Sequence, residues 1–201
     1  MFKKNKEATE PQEKKTWQQS IVVDMKDLVY VLAVFMLVYM LCFRVVVVVG
    51  PSMKDTLQNG DRLLLISSVF YHDPKQGDII VASKDSYEDG ECIVKRVIAT
   101  EGQEVDIDFD KGIVYVDGKA LDEPYTLTPT TTYEGVEFPL TVKEGCLFVL
   151  GDNRNGSKDS RHPEIGLVDK REVLGKVFFL FLPGTNEGEE PQDFGRIGVV
   201  D

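Results

Sequence analysis

Residues that build metal centres and disulfide frameworks are scarce in this sequence. Its 201 residues include three cysteines and two histidines, and no C-x-x-C or H-E-x-x-H motif occurs. A metal site therefore has little to draw on. Cys42 lies in an apolar run and is expected to behave as a small hydrophobe. Cys92 and Cys146 could pair in an extracytoplasmic domain, but two free thiols are the simpler expectation.

A basic surface is also missing. The first fifteen residues hold five Lys and three Glu, a balance of +2. The remaining eighteen basic and thirty-one acidic residues give −13, for a net charge of −11. Because binding to phosphates requires clustered Lys and Arg, we expect no nucleic-acid partner.

The nucleophile pattern G-x-S-x-G is absent as well, and both histidines stand in turn contexts. His72 lies in Tyr-His-Asp-Pro and His162 in Arg-His-Pro. Spacing alone does not exclude a Ser-His-Asp triad, but nothing in the sequence favours one.

One long apolar run is present. Leu28–Phe43 has sixteen residues without a charge, about 24 Å as a helix and short of a hydrocarbon core of roughly 30 Å. Continuing past Arg44 through Val45–Val49 gives 22 residues and about 33 Å, with the Arg44 side chain reaching the interface. The same valines are equally typical of a strand that leads to Ser52, so this boundary stays open.

We interpret the run as an uncleaved membrane anchor. Leu41–Val45 offers no small-x-small cleavage site, and the run has no polar face for a buried core helix. Basic residues near its two ends balance, but further lysines precede it, which favours an N-terminus inside. The expected parts are a cytoplasmic tail at 1–27, an anchor and lead-in at 28–49, and an extracytoplasmic catalytic domain at 50–201.

The domain is predicted to be mainly β. Apolar, β-rich runs bounded by turn residues occur at Leu63–Ile66, Ile79–Ala82, Ile93–Ala99, Ile113–Val116, Leu147–Leu150 and Val177–Leu182. Asp117-Gly118 suits the type I′ turn of a hairpin. We expect an antiparallel β-barrel-like domain behind one N-terminal transmembrane helix. Residues 104–145, including the Thr-rich Thr126–Thr132, are expected to form a non-catalytic extension or lid.

Ser52 is the candidate nucleophile. It follows Gly50 and Pro51, which permit a tight turn and close approach of another chain. A serine hydroxyl is inert until a base removes its proton. Because no histidine is favoured, a lysine is the alternative base.

Lys95 fits that role. In a strand over Ile93–Ile98 it shares one face with Ile93 and Val97, whereas Arg96 points to the other face. The pKa of Lys95 must fall by roughly 3 units to leave the amine neutral near pH 7, and desolvation by apolar neighbours can lower it.

Three blocks occur in order after the apolar run: G-P-S-M-x-x-T-L from Gly50, K-R-V from Lys95, and G-D-N-R-x-x-S-x-D-S-R from Gly151. Together they resemble type I signal peptidases, membrane-anchored serine proteases of the Ser-Lys dyad class. The match extends from the anchor to about Arg161. Some members carry a serine where this chain has Gly50, and the glycine resembles the Gram-positive branch.

The resemblance implies that Ser52 is the nucleophile and Lys95 the general base. It assigns Ser157 to orienting the lysine amine, and it assigns Asp159 and Arg161 to an ion pair that holds the loop. Further supporting residues are Asp152, Asn153 and Arg96. The Ser52 N–H and the Gly50 region would stabilise the oxyanion.

The resemblance also implies signal-peptide-bearing preproteins as substrates, the lipid bilayer as the site of action, and no cofactor or metal. Three alternatives remain open: a related peptidase with a narrower client, a self-cleaving repressor, and a catalytically silent membrane-tethered β-domain. The repressor would need a DNA-binding helix-turn-helix and no anchor, and a silent domain would be expected to lose the serine or the lysine.

Overall fold

The computed structural model describes residues 17–84, 91–185 and 192–200. The chain divides into two compact units, Met1–Met40 and Leu41–Asp201. The first contains most of helix α1, Trp17–Cys42. Its 19 residues Asp24–Cys42 are long and apolar enough to cross a membrane. Its side chains from 24 to 41 are exposed.

The structure decides the open boundary after the apolar run. Helix α1 ends at Cys42, and the first strand begins at Phe43. Val45–Val47 are therefore part of a strand that leads to Ser52, and the helix does not continue to Val49. At its other end α1 starts at Trp17, eleven residues before the predicted start at Leu28.

Strands form most of the second unit. They are β1 (Phe43–Val47), β2 (Arg62–Ser67), β3 (Ile79–Ser83), β4 (Cys92–Thr100), β5 (Glu104–Asp108), β6 (Ile113–Val116), β7 (Lys119–Ala120), β8 (Leu140–Thr141), β9 (Cys146–Leu150), β10 (Val168–Asp169), β11 (Val173–Leu182) and β12 (Gly198–Val199). Each of the six predicted apolar runs lies in one of these strands. The predicted hairpin joins β6 to β7, with positive φ values of 50° at Asp117 and 72° at Gly118.

The strands make two antiparallel sheets. The larger has the order β1-β2-β11-β3-β4-β9-β10, with β12 added to β11, and the smaller has the order β7-β6-β5-β8. A mainly β, antiparallel domain is confirmed. Among the described strands the edges β1 and β10 do not pair with each other, so the large sheet is open and no closed barrel is formed.

Alternating burial places the core. In β2, Leu63 and Leu65 point inward and are fully buried, as the period of two in a half-buried strand requires. In β4 every side chain from Ile93 to Ala99 except that of Val94 is buried, because both faces of the strand are covered. A lysine on this strand is therefore surrounded by protein on either face.

Candidate active site

Ser52 and Lys95 meet in the folded domain. Ser52 lies in the serine turn, Gly50–Leu57, which follows β1, and Lys95 lies in β4 opposite Ile80 of β3. The Lys95 Nζ donates to Ser52 Oγ over 2.9 Å and to the carbonyl oxygen of Val94 over 3.1 Å. The two residues are 43 positions apart in the sequence, and strand pairing brings them to hydrogen-bonding distance.

Burial makes the Lys95 amine a weaker base than a lysine amine in water. Lys95 is 4% exposed, and Ile93 and Val97 on its face belong to a buried apolar cluster. Desolvation lowers its pKa from 10.5 to about 8, against the opposing effect of nearby carboxylates, of which Asp159 has the largest. A substantial fraction of the side chain is thus uncharged in mildly alkaline solution, as a general base requires.

The third block, which we name the polar loop (Gly151–Arg161), forms hydrogen bonds with the serine turn. The Asn153 N–H donates to the Ser52 carbonyl oxygen over 3.1 Å, and Asn153 Nδ2 donates to the Pro51 carbonyl oxygen over 3.2 Å. Asp152 accepts from Thr56 Oγ1 over 2.6 Å. Asp152 and Asn153, two of the predicted supporting residues, therefore contact the segment that carries the candidate nucleophile.

Arg96 is anchored by the same carboxylate. Its Nε and Nη2 each donate to Asp152 over 2.9 Å, and its Nη1 donates to the Gly77 carbonyl oxygen over 2.8 Å. Both side chains of the pair are almost completely buried. This bidentate pair connects β4, next to Lys95, to the start of the polar loop.

The predicted ion pair within the polar loop is present. Arg161 donates to the two oxygens of Asp159 over 2.9 and 2.8 Å, and both side chains are fully buried. Asp159 also accepts from the Gly151 N–H over 3.0 Å. Arg161 Nη2 donates in addition to the carbonyl oxygens of Arg154 and Ser157, so the pair fixes the loop from end to end.

Ser157 lies close to the dyad but does not form the predicted hydrogen bond with the Lys95 amine. It is 4% exposed, and its Oγ has no hydrogen-bond partner among the described residues. A Cβ placed on Gly151 would lie 2.1 Å from this Oγ and 2.5 Å from the Ser52 carbonyl oxygen. The hydroxyl is therefore close to the Ser52 backbone, but the bonds described for the Lys95 amine go to Ser52 and Val94 instead.

Residues of the 104–145 segment, the insertion, contribute to the site although they were not predicted to. Arg154 of the polar loop donates to both oxygens of Glu123 over 2.7 and 2.6 Å. The ring of Tyr125 lies 3.9 Å from the guanidinium carbon of Arg96 and 6.0 Å from that of Arg154. Such stacking of a buried guanidinium on an aromatic ring is stabilising.

The insertion continues along the polar loop. Asn155 Oδ1 accepts from the backbone N–H groups of Thr131 and Thr132 over 3.1 Å each. Arg161 Nη1 donates to the Thr132 carbonyl oxygen, and the Val136 N–H donates to the Arg161 carbonyl oxygen, both over 3.0 Å. These bonds make the insertion a brace for the polar loop rather than a detached lid.

A second brace comes from the C-terminal segment. Arg196 donates to both oxygens of Asp61 over 3.0 and 2.6 Å and to the Thr56 carbonyl oxygen over 3.3 Å. Asp61, which is fully buried, also accepts from the Gly184 and Gln58 N–H groups. The end of the serine turn is therefore bonded both to the C-terminal segment and to the polar loop.

Of the two proposed oxyanion donors, one is engaged elsewhere. The Gly50 N–H donates to Asn59 Oδ1 over 3.0 Å, which removes it as a free donor. The Ser52 N–H has no protein acceptor within the described part of the chain. His72 is exposed, and His162 Nδ1 accepts from the Glu164 N–H, so neither histidine is bonded to Ser52.

A groove of about 620 Å³ opens at the dyad. One wall is Val46–Val49, and the other is formed by the start of β4, Cys92–Lys95. Strand β1 is the edge of its sheet, and β9 pairs with β4 only from Arg96 onward. Both walls therefore present backbone groups that no neighbouring strand uses.

Metal-binding side chains and cysteines are further candidate groups in the sequence. The described residues contain no group of three or more His, Cys, Asp or Glu side chains that could hold a metal ion. All three cysteines are free, with Cys92 exposed and Cys146 half-buried. The simpler expectation of free thiols is confirmed.

A buried lysine amine at a serine hydroxyl is an arrangement that fits a serine hydrolase with a lysine base, and comparison with known proteins identifies the family. Residues 21–182 match the family described as signal peptidase, peptidase S26. The chain therefore belongs to the S26 signal peptidases, serine hydrolases that remove signal peptides from exported preproteins. Members are membrane-anchored, and α1 is compatible with such an anchor.

Individual relatives agree. The chain is 38% identical over 148 residues to a probable signal peptidase I-1 of Synechocystis sp., covering 70% of this chain and 71% of the relative. It is 36% identical over 166 residues to a signal peptidase I of Bacillus licheniformis, covering 79% and 87%. A signal peptidase I of Bacillus caldolyticus is 40% identical over 150 residues, covering 68% and 78%.

Among solved structures, a signal peptidase I crystal structure from Enterococcus faecalis matches with a TM-score of 0.42 and 31% sequence identity, covering 52% of this chain and 96% of that one.

Proposed function

We propose that Ser52 and Lys95 are the catalytic dyad with which this chain removes N-terminal signal peptides from exported preproteins. The observation that carries the proposal is the 2.9 Å contact between Ser52 Oγ and an amine that is 4% exposed. Burial lowers the pKa of that amine to about 8, which suits a base that works near neutrality.

The reaction begins with the neutral amine. When Lys95 is unprotonated, the same 2.9 Å contact lets the Ser52 hydroxyl donate to Nζ. Lys95 takes this proton as Ser52 Oγ attacks the scissile carbonyl carbon, and the tetrahedral oxyanion accepts from the Ser52 N–H. The ammonium then protonates the leaving amine, and water attacks the acyl-enzyme with Lys95 again as base.

The groove suits an extended peptide. A substrate strand lying between Val46–Val49 and Cys92–Lys95 can pair with the unused edge of β1 and with the unpaired start of β4. Main-chain pairing of this kind provides affinity without demanding particular side chains. Specificity near the cleavage site then comes from the side chains that line the groove, among them Val46–Val49 and Ile93.

The membrane places enzyme and substrate together. We infer that Asp24–Cys42 is a single-pass anchor in the cell membrane, with residues before it cytoplasmic and the catalytic domain outside. The serine turn begins only eight residues after the helix ends. An anchored enzyme meets a bilayer-bound signal peptide at a high effective concentration, so the lipid bilayer is a functional partner.

Cleavage of a signal-peptide-bearing preprotein by the full chain in detergent tests the dyad. Ser52→Ala and Lys95→Ala are each expected to lower kcat/KM by at least about 1000-fold. Lys143→Ala, which removes an exposed lysine, is the matched control and should retain full activity. Near-native turnover by Lys95→Ala would remove the amine from the mechanism, and sequencing of the product N-termini confirms the site of cleavage.

A further inference from the structure

Tyr125 of the insertion covers the buried ion pair next to Lys95. The Arg96 guanidinium directs its hydrogen bonds, which lie in its own plane, to Asp152 and to the Gly77 carbonyl oxygen. The faces of this plane remain for other contacts, and the centre of the Tyr125 ring lies 3.9 Å from the guanidinium carbon. An aromatic ring attracts a cation at this distance, and more strongly where water is excluded. The insertion therefore contacts the residue that follows Lys95 in β4.

The polar loop in turn holds the Tyr125 ring. The Tyr125 hydroxyl donates to Glu123 Oε1 over 3.1 Å, and Glu123 accepts from Nη1 and Nη2 of Arg154 over 2.7 and 2.6 Å. Arg154, which is 1% exposed, also donates to the Gly151 carbonyl oxygen over 3.1 Å. Because a buried ion pair fixes its hydroxyl end, the ring is a rigid support for the Arg96 guanidinium.

From Arg96 the contacts lead to the serine turn in two steps. Arg96 Nη2 donates to Asp152 Oδ2 over 2.9 Å, and the same oxygen accepts from Thr56 Oγ1 over 2.6 Å. Arg96 and Asp152 are 2% and 0% exposed, so water does little to screen their attraction. Thr56 lies in the turn that carries Ser52. Each step from the insertion to this turn is thus a direct contact between side chains.

We propose that Tyr125 is a positioning residue of the cleavage reaction, which fixes the two members of the dyad relative to each other through the Arg96–Asp152 pair. The proposal rests on the proposed role of the dyad. Arg96 follows Lys95 in β4, whereas Asp152 bonds to the turn that carries Ser52, so this pair joins the strand of the base to the turn of the nucleophile. The two reacting groups are 2.9 Å apart, and a displacement of about 1 Å can lower a rate about a hundredfold.

Tyr125→Leu in the full chain tests the proposal by steady-state cleavage of a preprotein in detergent. Leucine is apolar but lacks the ring, so kcat should fall about tenfold or more while KM stays within about twofold of the wild-type value. Tyr125→Phe, which keeps the ring and loses only the bond to Glu123, should retain most of the wild-type kcat. Tyr133→Leu is the matched control and should cleave normally, because this exposed tyrosine of the insertion packs on Phe109, with ring centres 5.6 Å apart.

A double-mutant cycle tests the route of the effect. Thr56→Val keeps the shape of the side chain but removes the bond to Asp152, and it should lower kcat on its own. When it is combined with Tyr125→Leu, the loss in kcat should be smaller than the product of the two single losses, since both changes act through the same contacts. Multiplicative losses would overturn the proposal. A wild-type kcat for Thr56→Val would overturn it too, and this can be measured even if Tyr125→Leu does not fold.

Stability and activity together distinguish positioning from a structural role. Circular dichroism gives a temperature at which all variants are folded, and kcat is compared there. A Tyr125→Leu protein with a lowered unfolding temperature but wild-type kcat would assign the ring a purely structural role and refute the proposal. A change confined to KM would also refute it, because the effect would then lie in substrate binding. If Lys95→Ala is inactive while Tyr125→Leu cleaves normally, only the positioning role is wrong; if Lys95→Ala remains active, the dyad itself is wrong.

Discussion

Replacing Lys95 by methionine is expected to stabilise the folded protein, and by an amount that depends on pH. Methionine keeps the length and apolar stem of the side chain but removes the buried amine. The pKa of Lys95 falls from 10.5 to about 8 on folding, and each pH unit corresponds to about 1.4 kcal/mol. The ammonium form therefore destabilises the native state by about 3 kcal/mol, an order-of-magnitude figure that applies because the group is 4% exposed.

The direction in which wild-type stability changes with pH follows from proton binding in the folded and unfolded states. Below pH 8 both the folded and the unfolded chain hold the proton, so the wild-type protein carries the whole penalty. Between pH 8 and 10.5 the folded protein has released the proton while the unfolded chain keeps it, so wild-type stability rises with pH. The stability difference between Lys95→Met and wild type should therefore become smaller by about 2 to 3 kcal/mol from pH 7 to pH 10.

Denaturant unfolding of the full chain in detergent, followed by circular dichroism, measures this difference. Other groups that titrate in this range contribute equally to the stability of variant and wild type, so their contributions cancel in the difference. Lys143→Met, which replaces an exposed lysine, should show no pH-dependent difference. A constant difference for Lys95→Met across this range would mean that the folded protein does not shift the pKa of Lys95, and the general-base assignment would lose its electrostatic basis.

Two further substitutions probe the support of the site. Asp152→Ala leaves the Arg96 guanidinium buried without its carboxylate, and thermal unfolding should show a loss of about 3–5 kcal/mol; a loss below about 1 kcal/mol would contradict a buried, bidentate pair. Gly151→Ala places a methyl group 2.5 Å from the Ser52 carbonyl oxygen, so preprotein cleavage should fall at least about tenfold, whereas Gly198→Ala, where the methyl meets open space, should cleave normally.

Local pattern predicted the strands well. Runs such as Ile93–Ala99 and Ile113–Val116 were found as strands because alternation and flanking turn residues depend on a few neighbouring positions. The same information was ambiguous at Val45–Val49, where β-branched residues suit a strand and apolar character suits a span. Pairing with β2 decides between them, and pairing is a long-range property that the local sequence does not contain.

The site was predicted unevenly for a similar reason. The blocks around Ser52 and Lys95 stand out as motifs, and their residues meet in the structure. Tyr125 and Glu123 come from a polar segment with no local signal of chemistry. Their roles arise only when the insertion folds against the polar loop. To predict them from the sequence, one would have to know which arginine side chains become buried there and need a carboxylate or an aromatic ring as a neighbour.

The density of ion pairs around the dyad has a physical explanation in the dyad itself. A buried amine that must lose and regain a proton needs an environment that stabilises neither state completely. The bidentate pairs Asp159–Arg161 and Asp152–Arg96 fix the polar loop and β4 around the amine. Within the first pair, Asp159 raises the pKa of Lys95 and Arg161 lowers it, so the loop supplies opposing charges that favour the ammonium and the neutral amine.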